Sequence, residues 1–328
     1  MNGERITVVV PAYNTAQYLP RTLDSLLAQT YENLEIIVVN DGSSDDTAQV
    51  LDAYAARHGQ IKAIHKENGG VTSARLRGVA EAGGAWIGFM DGDDIIAPDM
   101  YARLMENARN NDADISHCGH QVHFPDGRIS YVHNSGVLRQ QDILTGVRDL
   151  LDGGLVESSL CTKLFRKELF DGLTDFMDPA IKINEDYLMN YYLFSRAKQS
   201  VFEDFCPYCY MLRQGSASYK VLHEHSIFDP IRVRRIILDH CVPELKQDAK
   251  IAQLRNLLFG YAQLAVNPDK RYDDFRVRVR SLLKAEKEHF YLLSRRNQIL
   301  AQMICIAPWM FTIAYNAYVK LFQREEQH

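Results

Sequence analysis

Short apolar runs alternate with helical patterns along the first third of the chain. Four runs rich in β-branched residues predict strands at residues 6–10, 34–40, 61–65 and 86–90. Because each run is compact and largely apolar, we expect these strands to be covered on both faces. Leu19, Leu23, Leu26 and Leu27 recur at helical spacing between the first two runs. The alternation predicts an α/β fold with a Rossmann-like, mostly parallel sheet flanked by helices.

The pattern changes after Ile115. Val122, Phe124, Ile129 and Tyr131 flank Pro125-Asp126-Gly127, which predicts a hairpin with a turn at its tip. From about residue 227 onward Leu, Arg, Lys and Glu dominate without strand-like runs. We therefore expect an α/β domain over residues 1–220 and a helical C-terminal region over residues 221–328.

Composition narrows the function classes only a little. The 328 residues are 46% hydrophobic and 24% charged, as in an ordinary globular protein. A net charge of -5 provides no global attraction to nucleic acid, so no nucleic-acid partner is expected. The N-terminus lacks the pattern of a signal peptide, and the six cysteines show no dense, regular spacing, so a cytoplasmic location is expected.

An apolar stretch near the C-terminus, residues 299–322, has two interpretations. Arg295 and Arg296 precede it and Lys320 and Arg324 close it, a pattern typical of an interfacial helix on an anionic membrane leaflet. The stretch is equally typical of a helix that packs on the protein's own core. Peripheral contact with the inner face of the cytoplasmic membrane, or with a partner, therefore stays open.

Polar loops follow three of the predicted strands. They are Pro11-Ala12-Tyr13-Asn14, Asn40-Asp41-Gly42-Ser43-Ser44-Asp45 and Asp91-Gly92-Asp93-Asp94. In an open parallel sheet, ligands bind beyond the carboxyl ends of the strands. All three loops are therefore expected to face one crevice.

The loop Asp91-Gly92-Asp93-Asp94 places three carboxylates within four residues. Their mutual repulsion is relieved by a cation or by hydrogen-bond donors. Oxygen ligands of this kind suit Mg²⁺ or Mn²⁺, which take one or two protein carboxylates and complete their shell with substrate phosphates and water. The alternative is a solvated acidic turn at the start of the next helix.

Two residues of the other loops are candidates for nucleoside binding. Asp41 follows a buried strand, and its carboxylate is able to accept hydrogen bonds from a base or a ribose, or from its own turn. Tyr13 offers an aromatic face for a base, or packs beside Pro11. Each residue alone is a weak signal.

Taken together, these segments resemble the family 2 inverting glycosyltransferases of the GT-A fold, of the type that builds bacterial polysaccharides and glycans. The resemblance runs through Val9-Val10-Pro11-Ala12-Tyr13-Asn14, Val39-Asn40-Asp41-Gly42-Ser43-Ser44-Asp45, Asn68-Gly69-Gly70, Ala74-Arg75, Phe89-Met90-Asp91-Gly92-Asp93-Asp94, Lys163-Leu164-Phe165 and Glu185-Asp186. It covers the first two-thirds of the chain and implies a GT-A catalytic domain over residues 1–220.

The resemblance also implies a role for individual residues. Asp186 stands at the position of the catalytic base, and Asp93, with Asp94 beside it, matches the acidic metal motif that holds Mn²⁺ or Mg²⁺. Contacts with the nucleotide-sugar donor, expected to be UDP-linked, are implied for Pro11, Ala12, Tyr13, Asn14, Asp41, Asn68, Arg75, Asp91, Gly92 and Asp93. Tyr210, Arg213 and Ser216 resemble the loop that closes over the diphosphate.

The implied reaction moves a sugar to a hydroxyl of a glycan or a lipid-linked oligosaccharide. A carboxylate at the mouth of the crevice is suited to act as the general base, although Asp186 also suits the first turn of a helix, where the dipole favours an acid. The chain departs from the family pattern twice. Gly92 replaces a common Ser, and Leu76 replaces a common Asn, which removes one polar contact expected on the donor side.

The sequence disfavours three other classes of protein. A nicotinamide-dependent oxidoreductase needs a glycine-rich turn after the first strand, and residues 10–15 contain no glycine. Cys206-Pro207-Tyr208-Cys209 has the spacing of a redox dithiol but lacks a following helix pattern, so we expect packing cysteines. A non-catalytic nucleotide-sugar binder is disfavoured by the joint presence of Asp41, the acidic loop and Glu185-Asp186.

Overall fold

The computed structural model describes residues 3–212 and 222–325. The chain divides into two compact units, which comprise residues 1–221 and residues 222–328. Arg213 and Ser216 lie outside the described residues.

Four parallel strands begin the first unit, as predicted. They are β1 (Ile6–Ala12), β2 (Leu34–Asp41), β3 (Ile61–Lys66) and β4 (Trp86–Phe89), paired in the order β3-β2-β1-β4. The helices between them are α1 (Leu19–Leu27), α2 (Thr47–Arg57) and α3 (Val71–Glu81). Gly78 of α3 permits close packing on β1, because a β-carbon there would lie 2.3 Å from a methyl group of Val9.

One strand differs from the expectation that all four are covered on both faces. In β3 only Ile61 is buried, and Lys62 and His65 are exposed. The strand pairs with β2 alone within the described sheet, so it forms an edge. An edge strand meets fewer neighbours, which explains its exposure.

The rest of the first unit extends the same sheet. Its elements are β5 (Ile95–Ile96), α4 (Met100–Asn110), β6 (Ile115–His123), β7 (Ile129–Val132), β8 (Leu138–Asp142), α5 (Ile143–Asp152), β9 (Lys163–Arg166), α6 (Leu173–Phe176), α7 (Glu185–Phe194) and β10 (Gln199–Met211). The order of the ten-stranded sheet is β3-β2-β1-β4-β9-β6-β10-β5, with β7 on β6 and β8 on β10.

The parallel arrangement holds for β1 to β4, and the sheet is mixed beyond them. Strand β9 is antiparallel to both β4 and β6, while β10 is parallel to β6 and antiparallel to β5 and β8. The hairpin predicted after Ile115 is confirmed as the antiparallel pair β6 and β7. Because β9 lies between β4 and β6, the acidic loop after β4 is brought near residues 157–162, which precede β9.

The second unit is helical, as predicted. It contains α8 (Glu224–His240), α9 (Lys246–Ala265), α10 (Asp273–Ala285), α11 (Arg295–Ile306) and α12 (Pro308–Glu325). Its core includes Leu254, Leu257, Val279, Ile304 and Phe311.

The apolar stretch 299–322 is divided between α11 and α12, with Ala307 and Pro308 at the break. One face packs inward through Ala301, Ile304 and Phe311, whereas Ile306 and Trp309 are exposed. Within the described ranges, no helix is long and apolar enough to cross a bilayer. The stretch therefore combines features of both predicted alternatives.

Candidate active site

The loop after β1 is tied to the loop after β2. Asn14 adopts a left-handed backbone conformation with φ 52°, its N–H donates to Ser43 Oγ at 3.0 Å, and its Oδ1 accepts from the N–H of Ser44 at 2.8 Å. These bonds leave the Tyr13 side chain at the surface, 52% exposed. Pro11 and Ala12 are the last residues of β1. The predicted donor-binding residues of this loop thus flank an exposed aromatic face.

Asp41 at the end of β2 is buried and bonds to the loop before α3. Its Oδ1 accepts from Lys66 Nζ at 2.5 Å and from the N–H of Gly69 at 3.0 Å, and its Oδ2 accepts from the N–H of Gly70 at 2.8 Å. The segment Asn68-Gly69-Gly70 is therefore held at the same strand end as Asp41. Asp41 therefore has a structural role, because it bridges the end of β2 to the loop before α3.

Arg75 on α3 connects two acidic segments that are distant in sequence. Its Nη2 lies 3.2 Å from Asp91 Oδ1, and its Nη1 lies 3.2 Å from Glu185 Oε1. Burial acts to lower the pKa of Arg75, but the charges of Asp91 and Glu185 outweigh burial and raise it. Arg75 Nε is buried and has no hydrogen-bond partner in the part of the chain that the structure describes. The guanidinium is thus a fixed positive charge between the acidic loop and the start of α7.

The three acids of the loop after β4 occupy different environments. Asp94 is buried, and its carboxylate accepts hydrogen bonds from the Tyr208 hydroxyl at 2.5 Å and from the N–H of Met211 at 2.8 Å. Burial and the charge of Asp91 raise the pKa of Asp94 to about 7. Asp91 and Asp93 are half-buried, and the carbonyl of Asp93 accepts from Arg21. These contacts hold Asp94 in the scaffold of the loop, and its predicted part in a metal site with Asp93 stays a prediction.

Gly92 fits closely against β1. A β-carbon at this position would lie 3.2 Å from the carbonyl oxygen of Pro11, which is closer than most such contacts. The glycine in place of the common Ser therefore suits the close approach of the loop to Pro11.

Asp186 lies in the first turn of α7, as the helix interpretation expected. Its Oδ1 accepts from the N–H of Tyr187 at 2.7 Å, and its backbone carbonyl accepts from Asn190 Nδ2 at 3.0 Å. The residue is half-buried and lines a pocket, so its expected position at the crevice mouth stays a prediction. Burial raises the pKa of Asp186, and burial together with the charge of Asp186 raises that of Glu185 to about 7.

One pocket of 350 Å³ joins the acidic loop to α7. Its lining residues are Asp91, Asp94, His120, Glu157, Ser158, Ser159, Thr162, Asp186, Tyr208 and Tyr210. Three of them, Asp91, Asp94 and Asp186, were predicted site residues, and Tyr210 was expected in the closing loop. This pocket is not lined by Pro11, Tyr13, Asp41 or Asn68. Asp41 ends β2 and Asp91 comes after β4, and both of these strands pair with β1.

Sequence reasoning missed His120, Glu157, Thr162 and Tyr208. The only local signal was that Thr162 precedes Lys163-Leu164-Phe165. The others reach the pocket because β9, β6 and β10 are adjacent in the sheet, which the sequence pattern did not predict.

A larger cavity of 580 Å³ lies beside the start of α3. It is lined by Gly69, Gly70, Val71, Thr72, Ser73, Leu76, Thr174, Met177, Pro179, Ile181 and Lys182. None of these is a carboxylate, and the cavity contains no predicted catalytic or metal residue. We therefore place the candidate chemistry in the smaller pocket.

The side chains of the acidic loop bear on metal ligation. Across residues 3–212 and 222–325, no group of three or more His, Cys, Asp or Glu side chains converges as a preformed metal site. The charge of Asp91 nevertheless raises the pKa of Asp94, so the two carboxylates lie close enough to repel each other. A cation that takes one or two protein carboxylates and completes its shell with phosphate oxygens fits this loop.

The Cys206 and Cys209 pair lies on strand β10. Burial raises the pKa of Cys206 to about 11 and also raises that of Cys209. A catalytic dithiol needs a lowered thiol pKa at a helix N-terminus. The interpretation as packing cysteines is consistent with this environment.

The chain belongs to glycosyltransferase family 2. The family model described as "Glycosyl transferase family 2" matches residues 7–174, which cover β1 through β9. The resemblance drawn from the motifs is therefore confirmed.

Curated relatives include bacterial glycosyltransferases. The chain is 30% identical over 305 residues to glycosyltransferase GlyG of Streptococcus pneumoniae serotype 4, covering 88% of this chain and 99% of the relative. It is 34% identical over 198 residues to the uncharacterized glycosyltransferase EpsJ of Bacillus subtilis, covering 59% of this chain. The matches span 57% of the length of EpsJ and 42% of that of glycosyltransferase GlyA of S. pneumoniae.

A solved structure confirms the fold class. S. aureus TarS, residues 1-349, in complex with UDP-GlcNAc aligns with a TM-score of 0.71 at 17% identity, covering 98% of this chain and 92% of that one. At this identity the likeness shows the fold alone. The predicted GT-A type α/β fold with a helical C-terminal region is thus confirmed.

Proposed function

We propose that the chain is an inverting glycosyltransferase that moves a sugar from a UDP-sugar to a hydroxyl of a glycan or lipid-linked acceptor. The observation that carries the proposal is the single pocket shared by Asp186 and the acidic residues Asp91 and Asp94. Residues 1–220 form the catalytic domain in this proposal. The complex of TarS with UDP-GlcNAc supports the choice of a UDP-linked donor.

In the proposed reaction Asp186 takes the proton from the acceptor hydroxyl. The acceptor oxygen forms a bond to the anomeric carbon as the bond from that carbon to the diphosphate breaks, and the electron pair leaves with UDP. A base must be ionised and also basic enough to accept the proton. Burial raises the pKa of Asp186 towards the working pH, and this suits the role of a general base.

Donor binding is proposed for the residues at the strand ends. Tyr13 provides the aromatic face for the base, and Arg75 is the buried cation beside Asp91. The proposed set is Pro11, Ala12, Tyr13, Asn14, Asp41, Asn68, Arg75, Asp91, Gly92 and Asp93, with Arg213 and Ser216 from outside the described residues. Asn14 and Asp41 support this set by fixing the loops, as their hydrogen bonds show.

A divalent cation, Mn²⁺ or Mg²⁺, is proposed at Asp93. When bound, it supplies a Lewis acid that neutralises charge on the departing diphosphate. Asp94 retains the contacts with Tyr208 and Met211 and positions the loop. The half-buried position of Asp93, in the same loop as Asp91 and Asp94, supports the proposal.

The competing candidate is a nucleotide-sugar binder without catalytic activity. Release of UDP from UDP-GlcNAc, UDP-glucose or UDP-galactose in the presence of Mn²⁺ separates the two candidates. A metal-dependent thermal shift identifies the donor, because a ligand that binds the folded state raises Tm. Binding without any UDP release, in water or with acceptors, would favour the binder.

We further propose that the second unit contacts the inner leaflet of the membrane, where a lipid-linked oligosaccharide would be presented. Ile306, Trp309 and Ile313 are 78%, 64% and 64% exposed around the junction of α11 and α12. Residues 295–324 contain no acidic residue. An exposed Trp among apolar residues beside basic groups is typical of an interfacial anchor.

The basic groups come from α10 and the segment after it. Arg280 donates to the carbonyls of Ile304 and Cys305 at 3.0 and 2.9 Å. Burial raises the pKa of Cys305, and the charges of Lys287, Lys284 and Arg280 oppose that rise, so these cations lie near the end of α11. Positive charge beside exposed apolar residues supports binding to anionic lipid.

A further inference from the structure

The pocket has a second set of lining residues that does not belong to the acidic loop or to α7. His120 comes from β6, and Glu157, Ser158, Ser159 and Thr162 come from the segment between α5 and β9. None of these positions was assigned a role by the family motifs. The pocket volume of 350 Å³ falls within the roughly 300–1,000 Å³ of small-molecule sites.

Two polar atoms in this set have no hydrogen-bond partner among residues 3–212 and 222–325. Thr162 is 1% exposed, and its Oγ1 is buried without a hydrogen bond. His120 Nδ1 is likewise buried without a partner. Buried polar groups are rarely left unpaired in native proteins, and an unpaired group that lines a pocket is a place where a ligand hydroxyl can bind.

The segment that carries Glu157 is held in a fixed position relative to Asp186. The buried Lys163 ammonium donates to the carbonyl of Glu157 at 2.8 Å and also to that of Ser159. Asn190 Nδ2 donates both to the carbonyl of Ser158 at 2.6 Å and to that of Asp186 at 3.0 Å. One amide group therefore joins the segment to the proposed base, so this wall of the pocket is preorganised.

The charge of the lining restricts what can bind. Asp91, Asp94, Glu157 and Asp186 are acidic, and the part of the chain that the structure describes places no Lys or Arg in the lining. Away from the acidic loop, where the proposed cation would offset the negative charge, the carboxylate of Glu157 repels a phosphate group on the acceptor. This wall of the pocket favours a neutral molecule whose hydroxyls donate to carboxylate and imidazole acceptors.

We propose that His120, Glu157 and Thr162 form the acceptor subsite and bind the hydroxyls of a neutral sugar ring beside the hydroxyl that Asp186 deprotonates. This inference rests on the proposed function, and it specifies the acceptor as a terminal sugar residue. Glu157 accepts from two neighbouring hydroxyls, and Thr162 Oγ1 gains the partner that it lacks in the protein. His133 Nε2 lies 3.3 Å from Glu157 Oε1.

The test measures UDP release and product formation with the full chain and Mn²⁺. The donors are UDP-GlcNAc, UDP-glucose and UDP-galactose, and the acceptors are p-nitrophenyl glycosides of glucose, galactose and N-acetylglucosamine. Glucose 6-phosphate and a polyprenyl phosphate are the charged comparisons. We expect transfer to at least one neutral glycoside and a lower kcat/KM for both phosphates.

The variants separate acceptor binding from donor chemistry. We expect Glu157→Gln to lower kcat/KM for the glycoside about 10- to 100-fold, a loss that exceeds its effect on donor hydrolysis by water. Thr162→Val removes a hydroxyl that has no protein partner, so we expect unchanged or higher Tm with a roughly three- to tenfold loss in acceptor kcat/KM. Glu32→Gln, at an exposed glutamate, is the control and should match the parent chain in both assays.

The outcomes distinguish the subsite from the proposed function. Equal losses of hydrolysis and transfer in Glu157→Gln, or a preference for the phosphate acceptors, would overturn the subsite while leaving the glycosyltransferase in place. A parent chain that releases no UDP from any donor, with or without acceptor, would overturn the proposed function and the subsite with it.

Discussion

The Tyr208 hydroxyl donates a hydrogen bond of 2.5 Å to the Asp94 carboxylate, and the two residues are 114 positions apart in the chain. Tyr208 belongs to β10 and Asp94 to the loop after β4. The bond therefore fixes the acidic loop against the far half of the sheet. Asp91 and Asp93, the other two acids of this loop, have other partners.

Replacing Tyr208 with Phe tests this bond. Within the described residues, Asp94 then keeps the N–H of Met211 as its hydrogen-bond donor, and a buried carboxylate that loses a donor is destabilised. We expect a loss of about 1–3 kcal/mol in the free energy of unfolding, measured by urea denaturation. Tyr131→Phe, at an exposed tyrosine, is the control. An unchanged free energy of unfolding in Tyr208→Phe would show that the bond is not stabilising.

Replacing Asp186 with Asn tests the proposed base. The Asn side chain keeps an Oδ1 that can accept from the N–H of Tyr187, so the local structure should persist. We expect kcat to fall about 10²- to 10⁴-fold, with the thermal shift produced by UDP retained. Near-normal turnover in Asp186→Asn would contradict the assignment.

Metal dependence is tested at Asp93. We expect EDTA to abolish UDP release and Mn²⁺ to restore it, because a bound cation would neutralise charge on the departing diphosphate. Asp93→Asn should need a higher Mn²⁺ concentration for half-maximal activity, whereas Asp99→Asn, at an exposed aspartate, should not. Full activity in EDTA would exclude the proposed metal role.

The pH dependence of stability tests the electrostatics around Glu185. Burial first, and then the charge of Asp186, raises the pKa of Glu185 from 4.5 to about 7. Between these values the folded chain binds more protons than the unfolded chain, so the contribution of Glu185 to stability falls as pH rises. Thermal unfolding of the parent chain and of Glu185→Gln, from pH 4.5 to 7.5, should show a Tm difference that shifts in favour of the variant. A constant difference, or a shift in favour of the parent chain, would contradict this explanation.

Membrane contact is tested by flotation with vesicles. We expect the protein to bind phosphatidylglycerol vesicles, to bind phosphatidylcholine vesicles less, and to dissociate as salt rises. Trp309→Glu should lower binding at least tenfold, whereas Val242→Glu, at an exposed valine between α8 and α9, should not. Equal binding of both vesicle types, or no effect of Trp309→Glu, would contradict the proposed surface.

Local sequence patterns were sufficient to predict the elements that are long or repeated. The strands β1, β2 and β4, the hairpin of β6 and β7, and the helical second unit were all predicted from periodicity and turn residues. The exposure of β3 was missed because its apolar run resembles that of an internal strand. Strand order decided its position at the edge.

The sequence by itself determined the family, the parallel half of the sheet and the acids at the strand ends, because each of these features depends on residues that are contiguous in the chain. Only the tertiary structure decided that Asp94 bonds to Tyr208, that Asn190 joins Ser158 to Asp186, and that Glu157 and His120 share their pocket. Those contacts depend on β9 lying between β4 and β6. Such pairings form between segments far apart in the chain, and short strands like β9 leave no periodic pattern from which to predict them.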